Sequence, residues 1–306
     1  MQENAQPVIA PIVREIVEWS EQWKGVHNPT PSQVFHYTDA YALKSIVSNG
    51  ELWASHVDYV NDSQEFRYAR TFINSTFERR IEQSAPDIAA KVEKIREVYR
   101  THSFLWQSAA DMYIACFCEE GDLLSQWRAY ASRGQGFALG FDPQRLMTAV
   151  ASNPELGKST KFFRVIYDLA EQQRWVDLAI DKLVAALGMN AETNVLNQVP
   201  LTFSEMAFAF KHPSFREEKE WRLVCAARPT LGDIIDVRES RGQLLPYATM
   251  PISKPGSVPS YVSVVHGPTA EAEKTKKALR MVLSKVLPAY WEEITVSGSN
   301  APLRGR

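Results

Sequence analysis

The sequence has few cysteines, no long apolar run and no surplus of charge of either sign. Three cysteines among 306 residues, at positions 116, 118 and 225, are too few for a disulfide framework and predict reduced, buried thiols in a reducing compartment. A net charge of -2 gives no electrostatic basis for general nucleic-acid binding. Since neither a membrane span nor a signal-peptide pattern is found, we expect a soluble cytoplasmic protein without a membrane partner.

Several common motifs of catalytic sites are also missing. Gly157-Lys158-Ser159 resembles the end of a phosphate-binding loop, but Ser152 stands where that loop requires glycine. Gly134-x-Gly136 precedes a predicted strand instead of following one, which excludes a dinucleotide fingerprint. Cys116-x-Cys118 has no second cysteine pair or nearby histidine to complete a zinc site, and no metal is expected.

What the sequence does contain is a series of short apolar strands that alternate irregularly with amphipathic helices. This pattern predicts an α+β fold, with a mixed, mainly antiparallel sheet that carries helical insertions. We expect an N-terminal docking helix within 1–30 and one α+β domain over 31–297. Helical insertions are predicted near 63–106 and 171–210. The small, polar segment 298–306 is predicted to be a disordered tail.

The chain is organised around the predicted strand at 34–37. Thr38 or Asp39 is suited to cap the next helix, and Gly50 is suited to end it. His36 therefore lies in an apolar strand directly before a helix. A lone histidine in such a place is as often a structural residue, bonded to a backbone carbonyl, as a site residue.

Polar and aromatic residues that could carry chemistry fall into four short islands. They are His36-Tyr37-Thr38, then Asn61-Asp62 with Glu65, then Ser125 with Trp127, Arg128 and Tyr130, and finally Glu218 with Glu220 and Arg222.

The last island is the most suggestive of catalysis. Glu218 and Glu220 alternate into a predicted strand, so both carboxylates are expected on one face at its start. Two close carboxylates repel, which separates their pKa values and suits one of them to stabilise positive charge. The alternative is that this segment is a solvated, charged start of a strand.

Each of the other islands also has a structural interpretation. Asp62 and Glu65 could cap a helix, as the spacing of a capping box suggests. Trp127 and Tyr130 lie three residues apart on a predicted helix and are more often core residues than a stacking platform. The arginines of the last two islands could be structural partners of these acids instead of substrate clamps.

Taken in order, these motifs resemble a bacterial family known as a domain of unknown function. The resemblance runs from about residue 34 to 267 and includes the segments His-Tyr-Thr, Asn-Asp-x-x-Glu, Ser-x-Trp-Arg-x-Tyr-Ala and Glu-x-Glu-Trp-Arg. A part in antiphage defence or toxin activity is plausible for such bacterial domains.

More distantly, the chain is similar to the ADP-ribosyltransferase fold, in which an early strand carries histidine and a late strand begins with the catalytic glutamate. This resemblance implies NAD as substrate, with His36 at a ribose hydroxyl and Glu220, together with Glu218, as the catalytic carboxylate. The other cofactor-binding candidates are Tyr37, Trp127 as a surface for nicotinamide, Arg128 and Arg222 for the pyrophosphate, and Tyr130. The residue of the middle motif stays open among Tyr113, Ser125 and Tyr130.

Three functions are therefore carried forward. The first is an NAD-consuming ADP-ribosyltransferase or NAD glycohydrolase, with a nucleotide as small-molecule partner and an open choice of acceptor. The second is a metal-dependent nuclease that uses His36, Asp62, Glu65 and Glu218 as ligands. The third is a sensor or interaction module without catalysis.

Overall fold

The computed structural model describes residues 30–60, 63–109, 111–130, 136–187, 192–227, 234–240, 242–253, 257–269 and 271–301. Side chains are described at these positions except 63–65 and 102–109. The docking helix predicted within 1–30 lies outside the described residues.

Strands and helices alternate irregularly along the chain. The strands are β1 Val34–Thr38, β2 Glu51–His56, β3 Asp111–Cys118, β4 Phe137–Phe141, β5 Lys161–Arg164, β6 Glu220–Ala227, β7 Ile235–Ser240, β8 Gln243–Pro251, β9 Tyr261–His266 and β10 Thr295–Gly298. The α-helices are α1 Ala40–Asn49, α2 Ser63–Gln83, α3 Pro86–Ala109, α4 Leu124–Tyr130, α5 Pro143–Ala151, α6 Pro154–Ser159, α7 Leu169–Leu187, α8 Glu192–Ala209 and α9 Ala272–Val286. Short 3-10 helices lie at Val57–Tyr59, Pro213–Glu218 and Trp291–Glu293.

All of these strands belong to one mixed sheet, which confirms the predicted α+β class. The main path of the sheet is β10-β9-β4-β1-β3-β2-β8-β7, with β6 paired to β3 and β5 paired to β6. The pairs with a resolved register are antiparallel except β9 with β10, which are parallel.

The chain separates into two compact units. One is helical and consists of the described parts of 61–110 together with Arg164–Phe215. Its helices pack around an aromatic cluster, in which the ring of Phe77 lies 5.8 Å from that of Tyr99 and 5.0 Å from that of Phe203. The predicted arrangement of one domain with two insertions stays a prediction. No helix among the described residues is long and apolar enough to cross a membrane.

The other unit contains the sheet and buries most of its apolar side chains on one face. The described parts of 30–60, 111–163 and 216–306 form it. Strands β1, β2, β3, β4, β6, β8 and β9 and helices α1, α5, α6 and α9 contribute to its core. Its members include Val34, Leu52, Phe117, Leu139, Trp221, Leu223, Ala248 and Leu283.

The first helix shows how local sequence determines the ends of an element. Asp39 precedes it, and its carboxylate accepts a 2.8 Å hydrogen bond from the amide of Ala42. Gly50 ends it with φ +68°, and its amide donates to the carbonyl of Ile46 at 2.9 Å. Both ends agree with the predicted capping and stop residues.

One expectation about secondary structure needs correction, and some elements were not predicted. Strand β5 pairs with β6. Residues 298–301 do not begin a disordered tail: Gly298 pairs with His266, and the amide of Asn300 donates to Asp122. The hairpin of β7 and β8 and the helices α5 and α6 were not predicted, although Asp142-Pro143 and Asn153-Pro154 are typical helix starts.

Replacing Gly50 with alanine tests the left-handed end of α1. A Cβ at this position would lie 2.6 Å from the carbonyl oxygen of Ser253, and the φ of +68° is itself unfavourable for alanine. Gly242 has a similar φ of +78° but open space around a Cβ, so it is the matched control. We expect Gly242→Ala to lower the free energy of unfolding by about 1 kcal/mol, and Gly50→Ala to lower it by about 1–3 kcal/mol more. Urea unfolding of both variants measures the difference, and equal losses would contradict the steric contact.

Candidate functional site

The side chains of β3 and β6 are divided between the two faces of the sheet. Their antiparallel register pairs Cys118 with Glu220 and Cys116 with Arg222, and paired residues point to the same side. The alternate residues point into the apolar core; they are Tyr113, Ala115, Phe117, Trp221 and Leu223. The face opposite this core, which we call the polar face, therefore carries the charged residues of β6.

On the polar face, Glu220 and Arg222 form a buried ion pair. The Nε of Arg222 donates to Oε1 of Glu220 at 2.8 Å, and its Nη2 donates to Oε2 at 3.0 Å. The two residues are only 5% and 2% exposed. Removal of either partner would leave the other as an uncompensated buried charge, so each residue stabilises the other in its buried position.

The chain reaches Glu220 through an unusual turn. Residues 213–218 form a 3-10 helix, and Lys219 follows with φ +42°, a left-handed value that is rare for lysine. The carbonyl of Lys219 accepts a 3.1 Å hydrogen bond from the amide of Glu119, which fixes the turn to the end of β3. Strand alternation therefore does not extend to Glu218, and the prediction that Glu218 and Glu220 share one face of a strand is wrong.

Along one edge of β3 the sheet splits, because two strands, β1 and β2, pair with different parts of that edge. Strand β1 pairs with β3 at Cys118, and β2 pairs with the same edge at Tyr113 and Ile114. Between these contacts, Nδ1 of His36 lies 3.0 Å from the carbonyl oxygen of Cys116. Because a carbonyl oxygen only accepts, Nδ1 of His36 is the donor, and the imidazole takes the place that a neighbouring strand would have there.

His36 is a neutral residue of the apolar side of the sheet. Its ring centre lies 5.8 Å from that of Phe117, a core residue. Burial lowers the pKa of His36, the carbonyl of Cys116 partly opposes this shift, and the charge of Arg238 adds to it. His36 thus faces away from Glu220 and Arg222, which corrects the implied placement of histidine and glutamate around one ribose.

A cluster of hydrogen bonds anchors α4 and the turn before it to the sheet. Trp127 is fully buried, stands edge-on to Tyr37 at 4.6 Å, and donates its indole N–H to Asp122 at 2.8 Å. The hydroxyl of Tyr37 donates to the carbonyl of Glu120 at 2.7 Å and accepts from the amide of Leu123 at 2.9 Å. Both rings are structural, so the interpretation of Trp127 as a surface for nicotinamide is wrong.

The remaining predicted residues are dispersed. Arg128 is exposed, Tyr130 is 46% exposed, and both belong to α4. Tyr113 points into the core, and the buried Oγ of Ser125 has no hydrogen-bond partner among the described residues. Asn61, Asp62 and the side chain of Glu65 lie outside the described residues.

The cysteines differ in environment, whereas the sequence predicted that all three would be buried. Cys116 is exposed on the polar face, Cys118 and Cys225 are buried, and none of the three forms a disulfide. Burial raises the pKa of Cys118 and of Cys225 to about 12, which makes both thiols poor nucleophiles at neutral pH. Within the described ranges, no group of three or more histidine, cysteine or acidic side chains is placed to hold a metal ion.

Sequence reasoning missed a second polar cluster on the other side of the split. Trp53 stacks on Tyr247 with ring centres 4.3 Å apart, and Arg238 reaches both Trp53 and the hydroxyl of Ser55. These residues come from β2, β8 and β7. The period-two pattern of Asp236-x-Arg238, in a segment left unassigned, is the signal that could have found them.

Comparison with known proteins gives one partial match. Residues 126–223, about a third of the chain, are similar to a family described as a protein of unknown function (DUF2971). This range includes the Glu220–Arg222 pair and residues 126–130 of α4 but not His36 or the split beside it. No curated protein and no solved structure matches the chain.

Substitution of Asp122 tests the anchor of α4. Burial alone would raise the pKa of Asp122, but hydrogen bonds from Ser299, Trp127 and the amides of Asn300 and Ala301 lower it overall. We expect Asp122→Ala to lower the free energy of unfolding by about 1–3 kcal/mol, because it leaves the buried indole N–H of Trp127 without an acceptor.

The same variant has a defined pH dependence. Because the folded state lowers the pKa of Asp122, its carboxylate stabilises the fold above the ordinary value of 3.8, and this contribution is lost as the pH falls through the folded value. In chemical denaturation, the stability difference between wild type and Asp122→Ala should therefore shrink as the pH falls below 3.8. Asp58→Ala, which removes an exposed carboxylate of the same unit, is the control variant. A difference that grows on acidification would refute the assignment.

Proposed function

We propose that the protein cleaves the bond between nicotinamide and ribose in NAD, with Glu220 as the catalytic carboxylate. The observation that carries the proposal is the Glu220–Arg222 pair at the start of β6, beside the central strand β3. The late strand that begins with glutamate supports it by resemblance. The products are nicotinamide and either free ADP-ribose or an ADP-ribosylated acceptor.

The chemistry requires a fixed negative charge. Departure of nicotinamide leaves an oxocarbenium-like ribose, as in glycoside hydrolysis, and a carboxylate beside the sugar stabilises that charge. Arg222 holds both oxygens of Glu220, so the carboxylate needs no reorientation during the reaction. In this proposal Glu220 is the catalytic residue and Arg222 is a positioning residue.

The other roles change from those that the resemblance implies. His36 lies on the apolar side of β3 and has no place beside the same ribose as Glu220. Tyr130 replaces Trp127 as the accessible aromatic ring of α4 for nicotinamide. Protein, nucleic acid, a small molecule and water all remain compatible acceptors, because the donor chemistry does not distinguish them.

A sensor or interaction module is the second candidate, and one observation favours it. Glu220 and Arg222 bind each other through two hydrogen bonds and are almost fully buried, which is also the arrangement of a structural pair. The nuclease alternative stays a prediction, since two of its four ligands, Asp62 and Glu65, are the ones whose side chains are not described.

Nicotinamide release from NAD by the purified protein tests the proposal. We expect Glu220→Gln to reduce turnover by about 100- to 1000-fold, because the amide cannot stabilise positive charge. Since this variant leaves the buried guanidinium of Arg222 without its carboxylate, its thermal unfolding is measured in parallel. A double variant, Glu220→Leu with Arg222→Leu, removes both charges and is expected to fold, because apolar replacement of a buried pair is often neutral.

The surface variant Glu273→Gln, at a side chain that is 87% exposed, is the control and should retain full turnover. Turnover by the folded double variant at the wild-type rate would refute a catalytic role for Glu220. Absence of both binding and turnover in the wild type at about millimolar NAD, a binding free energy near -4 kcal/mol, would favour the sensor instead.

A further inference from the structure

Arg238 of β7 is an incompletely partnered guanidinium on the polar face. Its Nη2 donates to the hydroxyl of Ser55 at 3.2 Å, and its guanidinium carbon lies 5.9 Å from the ring centre of Trp53. Its Nε is buried and has no acceptor among the described residues. A buried charged donor without an acceptor is unfavourable, so this position favours an anion that supplies one.

No acidic side chain in the described part of the chain neutralises this charge by direct contact. Among the described residues Arg238 has no ion pair within 4.0 Å, although Asp236 lies two residues away on the same strand. The carboxylate of Asp236 instead accepts from the hydroxyl of Tyr247 at 3.1 Å and from the amide of Val237 at 2.7 Å. Glu51, at the start of β2, is the other acid whose field reaches Tyr247.

The surroundings of Arg238 are rigid and partly aromatic. Trp53 and Tyr247 stack with an interplanar angle of 28°, and Tyr247 is 6% exposed. Both rings belong to paired strands, since Ser55 lies opposite Tyr247 in the register of β2 and β8. The hydroxyl, the indole and the guanidinium are therefore held at fixed positions before any ligand arrives.

The cluster also adjoins the split in the sheet. Ser55 pairs with Ile114 at the last contact of β2 with β3. The part of this edge of β3 that has neither β1 nor β2 beside it follows directly. The charge of Arg238 contributes to lowering the pKa of His36, so its positive field reaches across the split. A ligand bound at the split would therefore experience the positive potential of Arg238.

From this arrangement we infer that Arg238, Ser55 and Trp53 form a binding subsite for a phosphate or pyrophosphate group of a small molecule. A guanidinium fork and a hydroxyl match phosphate oxygens. A phosphate ester carries more negative charge than a carboxylate, so Arg238 attracts it more strongly, while the repulsion from Asp236 and Glu51 opposes this attraction. The inference goes beyond the proposed function, because phosphate binding here requires no cleavage of NAD.

Calorimetric titration with inorganic pyrophosphate tests the subsite. We expect the wild type to bind, and Arg238→Gln to weaken binding about tenfold or more, as loss of a charge-assisted hydrogen bond does. Ser55→Ala should weaken binding about two- to fivefold without removing the charge, and it serves where Arg238→Gln unfolds. Arg280→Gln, an exposed arginine of α9 in the same unit, is the matched control and should bind like the wild type.

Malonate at equal ionic strength distinguishes phosphate from carboxylate recognition. Weaker binding of malonate than of pyrophosphate supports the inference, and equal or tighter binding overturns it. Absence of pyrophosphate binding by the wild type up to about 10 mM overturns it as well, as does unchanged binding by folded Arg238→Gln. Because no readout here depends on nicotinamide release, a protein that binds pyrophosphate but leaves NAD intact refutes only the proposed function.

Discussion

The pairing of β3 determines where every candidate residue lies. One edge of this strand is occupied along its length by β6. The other edge is shared between β1, which pairs at Cys118, and β2, which pairs at Tyr113 and Ile114. A strand has only two edges, so a shared edge opens the sheet between the two partners. His36 closes part of that opening by binding the carbonyl of Cys116, which satisfies a backbone group that a neighbouring strand would otherwise bind.

The same register separates apolar from polar chemistry. Because side chains alternate, one face of β3 and β6 carries Phe117 and Trp221 into the core, and the other carries Cys116 and Arg222. A buried ion pair contributes little net stability compared with an apolar pair of similar size. The Glu220–Arg222 pair is therefore explained better by a need for an oriented carboxylate, or for a unique packing arrangement, than by stability alone.

Much of the secondary structure could be predicted from the sequence, because it depends on local periodicity and capping. Strand β4 follows from a continuous short apolar run, and the ends of α1 follow from Asp39 and Gly50. The faces of the sheet could not be predicted in this way, since they depend on which strands pair. The alternation assumed for Glu218 and Glu220 failed because a left-handed Lys219 interrupts the strand, and nothing about a lysine predicts such a conformation.

Residue type alone also failed to separate structural from accessible aromatics. Trp127 and Tyr130 lie one turn apart on the same short helix, yet the first is fully buried and the second is 46% exposed. The difference arises from Asp122, which binds the indole of Trp127 and also the segment at Ser299 and Asn300, far along the chain. A contact between residues so distant in sequence leaves no local pattern, so only the fold could distinguish Trp127, a core residue, from Tyr130, an exposed one.

The polar face brings together groups that are far apart in the sequence. Arg222, Cys116, Ser55 and Arg238 come from four different strands and all point away from the apolar core. Side chains on paired strands are held more rigidly than those on loops, which suits recognition of a charged ligand. The two arginines differ in one respect: Arg222 is bound to a carboxylate, whereas the contacts of Arg238 with described residues are to a hydroxyl and an aromatic ring. Arg222 is thus suited to position a protein group, and Arg238 to bind a group from outside the chain.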